Sequence, residues 1–262
     1  MELFTLARYV HYFLRSGHRM GYGIHSPFLF DIISRIFQNK IDPEIVFRIE
    51  AIRKKLEKDT RLINFYDYGS GSKKMKSDIR KVSDIVKNSS LPKKYCFLLS
   101  RLSSVFGKPV IIELGTSLGI STMYLALSCP EIPVYTIEGC QAASEIACNN
   151  FHDAAISNIK QMNGHFDDLL PEIIGMGICP GLVFIDGNHM KTPTVSYFDQ
   201  IAGIAGNDTV IILDDINYSR EMADAWEIIK NDRRVTASID IFRMGILFFR
   251  KGITPGRYIV RY

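Results

Sequence analysis

The chain has 262 residues, of which 47% are apolar and 23% are charged. This composition supports a buried core, and with 19 glycines and 10 prolines it excludes disordered, collagen-like and low-complexity architectures. No apolar run approaches the roughly 18 residues that a membrane span needs, and Glu2 lies where a signal peptide carries bases. Five cysteines without CxxC spacing favour reduced thiols in a cytoplasmic protein over a disulfide framework or a zinc site.

Charge is distributed unevenly along the chain. Residues 1–108 carry 21 Lys and Arg against 10 Asp and Glu, a net charge of +11, whereas residues 109–262 carry 11 against 18, a net charge of −7. This asymmetry predicts two functional parts. Because the basic residues are dispersed, we interpret them as packed against the acidic part or solvated; nucleic-acid binding stays open as the less favoured alternative. The sequence also leaves a homo-oligomer open.

Residues 1–106 are predicted to form a mainly helical N-terminal cap that contributes to a substrate region. Apolar residues at three-and-four spacing predict helices over 3–14 and 45–56, and a further helix is predicted over 95–106. Loops are predicted at 17–27 and from 66 to about 72. The second of them overlaps the stretch 69–74, with Lys73 and Lys74, which is a candidate for closing over an anionic group.

After Pro109, short apolar runs alternate with helical segments. Strands are predicted at 110–114, 134–138, 159–163, 182–186, 210–214, 235–241 and 245–250, and helices near 120–128, 141–151, 167–174, 193–205 and 220–231. Continuous apolar runs such as 210–213 are typical of strands buried on both faces, which predicts an α/β fold with a doubly wound parallel sheet. The last two strands are too close in sequence for a parallel crossover, so we expect them to pair antiparallel.

A turn of small residues follows the first of these strands, in the string Glu113-Leu-Gly-Thr-Ser-Leu-Gly119. A dinucleotide site requires G-x-G-x-x-G, but Ser117 and Ile120 occupy the second and third glycine positions. The string also matches a hydrolase nucleophile elbow at Ser117, yet no histidine follows His189, which leaves no role for the acids on the fifth strand. The third interpretation is a site for a nucleoside sulfonium, a cofactor without phosphates.

The string from Glu113 to Thr122 resembles motif I of class I S-adenosylmethionine-dependent methyltransferases, in the form found among O-methyltransferases. Glu138 ends the next strand, 23 residues after Gly115, where an acid can accept hydrogen bonds from both ribose hydroxyls. The resemblance covers roughly residues 94–250 and implies a Rossmann-like seven-stranded sheet with an antiparallel last strand, in a methyltransferase domain over 107–262. It implies that S-adenosyl-L-methionine is bound by Glu113, Gly115, Thr116, Ser117, Gly119, Glu138, Gly164, His165, Phe166 and Asp186.

Carboxylates follow two further predicted strands, in Asp186-Gly-Asn-His189 and in Asp214-Asp215-Ile-Asn. Parallel strands bring these acids to one sheet edge, where they repel one another because no Lys or Arg lies in the same strings. A divalent cation with oxygen ligands resolves that repulsion. The strings resemble those of macrocin O-methyltransferases and are related to the metal site of catechol O-methyltransferases, which have Asn where this chain has Asp215.

That resemblance implies that Asp186, Asp214 and Asp215 hold Mg²⁺, and that His189 with Asp186 forms the catalytic pair, His189 being the general base. Turn, cap and loop roles for these residues stay open. The expected activity is methyl transfer from S-adenosylmethionine to a hydroxyl of a small molecule, such as a sugar, polyol or phenol, with Mg²⁺ assistance. An RNA methyltransferase that uses the basic N-terminal region and a non-catalytic cofactor-binding module are the alternatives.

Overall fold

A computed structural model describes residues 3–17, 19–66 and 79–262. Its N-terminal part contains helices α1 (Leu3–Arg15), α2 (Pro27–Ser34), α3 (Pro43–Leu56), α4 (Val82–Ser89) and α5 (Lys93–Phe106), with an antiparallel hairpin of β1 (Leu62–Asn64) and β2 (Ile79–Lys81). Helices α1, α3 and α5 confirm the three predictions from helical spacing. The stretch with Lys73 and Lys74 lies outside the described residues.

The central sheet has eight strands, one more than predicted. They are β3 (Ile111–Leu114), β4 (Val134–Glu138), β5 (Ile159–Asn163), β6 (Leu182–Ile185), β7 (Val210–Leu213), β8 (Ala237–Asp240), β9 (Gly245–Phe248) and β10 (Gly256–Ile259). Their order is β10-β8-β9-β7-β6-β3-β4-β5. Strand β9 pairs antiparallel with both neighbours, as predicted for the terminal hairpin. The additional strand, β10, pairs parallel with β8 at the sheet edge.

The connecting helices also follow the predicted order. They are α6 (Ile120–Leu127), α7 (Gln141–Asp153), α8 (Phe166–Gly175), α9 (Lys191–Ile204) and α10 (Arg220–Lys230). The Ser219 hydroxyl accepts a hydrogen bond from the Met222 amide and so caps α10. No described helix is long and apolar enough to cross a membrane.

Two apolar layers cover the sheet. Strands β3, β6 and β7 are buried throughout, which explains their continuous apolar sequences. Alternate strand residues, such as Ile111 and Phe184, join one core cluster with the N-terminal helices, α6 and α7. Their neighbours, such as Ile112 and Val183, pack with α8, α9 and α10. The helices of the predicted cap therefore pack directly on the sheet beside the site described next, and the domain boundary at residue 106 stays a prediction.

Candidate functional site

The turn between β3 and α6 is tight because it packs against the end of β6. The Asp186 amide donates to the Leu114 carbonyl over 2.8 Å. Gly115 has a φ of +105°, and a Cβ there would overlap the Asp186 carbonyl oxygen. Gly119 has a φ of +83°, and a Cβ there would overlap the Phe151 ring. Both positions therefore require glycine, and the turn brings two strand ends together.

The carboxylate of Glu138 is fixed at this turn by two backbone amides. Its Oε2 accepts from the Ser117 amide over 2.7 Å, and its Oε1 accepts from the Cys140 amide over 2.8 Å. Hydrogen bonds of this kind orient a carboxylate and favour its ionised form. The structure thus presents an oriented acid at the end of β4, beside the small-residue turn.

A cavity of about 780 Å³ lies at this edge of the sheet, within the size range of small-molecule sites. The sheet domain lines it with residues 115–118, 120–121, 138–139, 164–167, 186–189, 197, 215, 217–218 and 242–243, and the N-terminal part with residues 5, 65–66, 80, 88–91 and 95. The ends of five strands, β3 to β7, and the N-terminal region therefore meet around one space.

Two buried polar atoms in the cavity wall lack hydrogen-bond partners within the described part of the chain. They are Oγ of Ser117 and Oδ1 of Asn188. Asn188 is held in place because its Nδ2 donates to the Tyr197 hydroxyl over 3.0 Å. Since buried polar groups are normally paired, these two atoms indicate a polar ligand. The small turn, the acid at Glu138 and these atoms fit S-adenosylmethionine.

Eight of the ten predicted cofactor residues line the cavity: Gly115, Thr116, Ser117, Glu138, Gly164, His165, Phe166 and Asp186. The other two, Glu113 and Gly119, do not. Gly119 precedes α6 and packs on Phe151. Glu113 is fully buried behind the turn, where Oε2 accepts from the hydroxyls of Thr122 and Thr136 over 2.5 and 2.7 Å. Burial raises the pKa of Glu113 to about 7. Glu113 and Gly119 thus support the turn from behind the cavity wall, and their contact with the cofactor stays a prediction.

The predicted acidic cluster forms, but it contains an arginine from the turn between β8 and β9. Arg243 binds the carboxylate of Asp214 through Nε at 2.9 Å and Nη2 at 2.6 Å, and Nη2 lies 3.3 Å from Oδ1 of Asp215. The Asp214 side chain is completely buried. Nε2 of His189 lies 3.7 Å from Oδ1 of Asp186. His189 thus faces one carboxylate, while Arg243 contacts the other two with a single positive charge.

Burial dominates the electrostatics of this cluster. It raises the pKa of Asp186 well above its ordinary value, and the charge of Asp214 raises it further. Burial and Asp214 likewise raise the pKa of Asp215, against the opposing effect of Arg243. Burial alone would lower the pKa of Arg243, but the neighbouring Asp214 and Asp215 raise it. Arg243 is therefore a permanent cation among these carboxylates.

The residues present do not fit the predicted Mg²⁺ site. Asp186, Asp214 and Asp215 lie at one sheet edge as expected, but the prediction assumed that no basic side chain was near. Arg243 engages both oxygens of Asp214 and also reaches Asp215. Within residues 3–17, 19–66 and 79–262, no three His, Cys, Asp or Glu side chains are grouped to hold a metal ion. The metal assignment is therefore not confirmed.

Backbone strain is concentrated at the cavity. Seven described residues other than glycine have a positive φ, and five of them line this space: Ser117, Asn188, His189, Asp215 and Phe242. Each such conformation costs on the order of 1 kcal/mol and persists where surrounding packing enforces it. The strain marks the same residues that chemistry and topology indicate.

Sequence reasoning missed Arg243, although the pairing of β7 with β9 fixes its place. In that antiparallel pair Leu213 lies opposite Gly245. Continuing the register by two residues on each strand places Arg243 opposite Asp215, and the Ile216 amide donates to the Arg243 carbonyl. The pairing predicted from the short turn was that of β8 with β9, whereas the register of β9 on β7, which locates this arginine, was not predicted.

Comparison with known proteins agrees with the fold and the turn motif. Residues 112–216 match a protein family described as a methyltransferase domain. The chain is 29% identical over 109 residues to a catechol O-methyltransferase of Niastella koreensis, a match that covers 40% of this chain and 48% of the relative. The chain thus spans about half the length of this curated relative.

Two solved structures share the fold. Cofactor-bound Rv0187 from MTB has a TM-score of 0.60 at 17% identity, with 86% of this chain and 95% of that chain covered. An O-methyltransferase from Bacillus cereus in complex with SAH has a TM-score of 0.55 at 18% identity, with coverages of 80% and 93%. The resemblance to class I S-adenosylmethionine-dependent methyltransferases of the O-methyltransferase type is confirmed.

Proposed function

We propose that this protein transfers a methyl group from S-adenosyl-L-methionine to a hydroxyl oxygen of a small molecule. The observation that carries the proposal is the meeting of the β3 turn, Glu138 and the Asp186–His189 pair around one cavity. The methyltransferase match over residues 112–216 supports the reaction class.

The cofactor half of the cavity is built by the β3 turn and the residues around it. The oriented carboxylate of Glu138 would accept hydrogen bonds from the ribose hydroxyls. Phe166, which packs edge-on against Tyr197 with ring centroids 5.7 Å apart, would border the adenine. Ser117 and Asn188 would satisfy their unpaired oxygens on polar groups of the ligand. When bound, S-adenosylmethionine supplies an activated methyl group on its sulfonium.

The acceptor half contains the residues that can move a proton. The imidazole of His189 can take the proton of an acceptor hydroxyl. Asp186, 3.7 Å away, would stabilise the resulting imidazolium. The N-terminal part supplies Phe65, Tyr66 and Tyr95 to the cavity wall, where they would exclude water from the bound acceptor. Sugars, polyols and phenols all remain candidate acceptors.

Calorimetric titration with S-adenosylhomocysteine tests the cofactor half. We expect the wild-type chain to bind it, and Glu138→Ala to weaken binding by roughly 10- to 100-fold, because hydrogen bonds to a charged group contribute about 1.5–3 kcal/mol each. Glu145→Ala is the matched control, since Glu145 is exposed on α7. Absence of wild-type binding at millimolar ligand would refute the proposal.

Turnover tests the acceptor half. The chain is incubated with S-adenosylmethionine and a panel of sugars, polyols and phenols, and formation of S-adenosylhomocysteine is measured. We expect acceptor-dependent product formation. Cofactor binding without consumption across the whole panel would contradict methyl transfer and would instead support a non-catalytic cofactor-binding module.

A further inference from the structure

A cation from within the chain contacts both carboxylates of the pair Asp214–Asp215. Three polar contacts of 2.6–3.1 Å join the Arg243 guanidinium to Asp214, and a fourth of 3.3 Å reaches Asp215. A planar guanidinium that binds a carboxylate through two nitrogens is a strong and specific pairing. Asp214 has no exposed side-chain surface, so this pairing satisfies a carboxylate that would otherwise be buried and uncompensated.

Packing around the hairpin fixes the position of this arginine. The register of β9 on β7 sets Arg243 opposite Asp215, and the Asn217 side chain donates to the Phe242 carbonyl over 2.7 Å. On the other side of the hairpin, a Cβ at Gly245 would overlap the Trp226 ring, so the hairpin lies directly against α10. The guanidinium also lies near the Tyr95 ring, with Cζ 5.8 Å from its centroid. Arg243 is thus held in the site from several directions.

We infer that Arg243 is the resident cation of this site and takes the place that a divalent metal ion would have. The inference rests on the proposed methyl transfer for its functional meaning. Because the guanidinium engages both oxygens of Asp214, a metal ion can bind there only by displacing it. Arg243 also lines the cavity, so its positive charge is presented to an acceptor bound beside His189. Methyl transfer by this chain then needs no divalent cation.

Calorimetric and thermal-shift titrations with Mn²⁺ test the inference on the wild-type chain and on Arg243→Met. The wild-type chain is expected to show neither stoichiometric binding nor a shift in Tm. Arg243→Met keeps an unbranched apolar stem but is shorter and lacks the charged guanidinium, so Asp214 and Asp215 become available. We expect this variant to bind Mn²⁺ at least about tenfold more tightly than the wild type, since a charge-assisted bidentate pairing no longer competes.

Arg234→Met is the matched control. Arg234 also bridges two aspartates, Asp199 at 2.6 Å and Asp232 at 2.8 Å, but on the protein surface, where 69% of the Asp199 side chain is exposed. Solvated carboxylates of this kind are expected to gain no measurable Mn²⁺ affinity when the arginine is removed. The control therefore separates a vacated buried site from a general effect of lost positive charge.

Two results would overturn the inference. One is stoichiometric Mn²⁺ binding by the wild-type chain that Asp214→Asn abolishes. The other is a folded Arg243→Met variant with no more Mn²⁺ affinity than the wild type. If Arg243→Met does not fold, the wild-type titration decides the outcome. Arg243→Lys keeps the charge and is expected to match the wild type. Stoichiometric Mn²⁺ binding by Arg243→Lys, at one ion per chain, would contradict the inference. S-adenosylhomocysteine titrated into the same samples reports on the proposed function separately.

Discussion

Glu113 makes the stability of this protein depend on pH in a direction opposite to that of most carboxylates. It is fully buried, and its pKa rises from an ordinary value of 4.5 to about 7. Between these values the folded chain holds a proton that the unfolded chain has released, so the free energy of unfolding falls as pH rises. Each pKa unit corresponds to about 1.4 kcal/mol, which gives roughly 3 kcal/mol in full, most of it between pH 5 and pH 8.

Glu113→Gln removes this titration while keeping the shape of the side chain. Urea unfolding of the wild type and of the variant at pH 5 and pH 8 gives four free energies of unfolding. Contributions of the other acids cancel when the variant is compared with the wild type at each pH. We expect the variant to gain roughly 2–3 kcal/mol relative to the wild type between pH 5 and pH 8, and the exposed Glu145→Gln to gain nothing.

The test depends on the sign of this change in the free energy of unfolding. The amide nitrogen of the variant takes the place of an oxygen, and Oε1 of Glu113 has no partner among the described residues. A constant penalty of about 1–3 kcal/mol for an unpaired buried donor is therefore expected at both pH values, and it cancels in the comparison. A relative stability of the two proteins that stays constant from pH 5 to pH 8 would show that Glu113 is ionised in the folded chain, and the reasoning from burial would fail.

Two further substitutions test the cavity. Gly115→Ala is expected to lower the free energy of unfolding by about 1–3 kcal/mol or more, because Gly115 has a positive φ and the added Cβ overlaps Asp186. The same variant is expected to weaken S-adenosylhomocysteine binding in calorimetry. The control is Gly203→Ala, in open space on α9, which is expected to stabilise the chain by about 0.5–1 kcal/mol. His189→Gln is expected to lower turnover by roughly 10²- to 10⁴-fold while S-adenosylhomocysteine affinity stays within about twofold of the wild type. Unchanged turnover in this variant would remove His189 from the proposed proton transfer.

Much of the fold could be predicted because burial leaves a clear pattern in the sequence. Strands covered on both faces read as continuous apolar runs, and all seven predicted strands are present. The elements that were missed are short and partly exposed. Strand β10 has four residues at the sheet edge, with none of them fully buried, and the β1–β2 hairpin has three residues on each side. Such segments carry too few apolar residues to show a period.

The site was predictable where backbone topology alone decides it. Ends of parallel strands meet at one edge, which placed Gly115, Glu138 and Asp186 around the cavity. The sequence was less informative where side-chain direction or pairing register decides. Glu113 points to the same sheet face as Ile111, into the core rather than toward the edge. Arg243 enters from a hairpin whose partner residues follow only from its register.

The opposite charges of the acidic cluster belong to parts of the fold that evolve under different constraints. Asp214 follows a fully buried strand within the segment that matches the methyltransferase family, whereas Arg243 belongs to a hairpin turn beyond residue 216. Turns accept replacement more readily than buried strands. By the inference drawn from Arg243, the identity of one turn residue decides whether this sheet edge offers its carboxylates to a metal ion, with the sheet and the cavity unaltered.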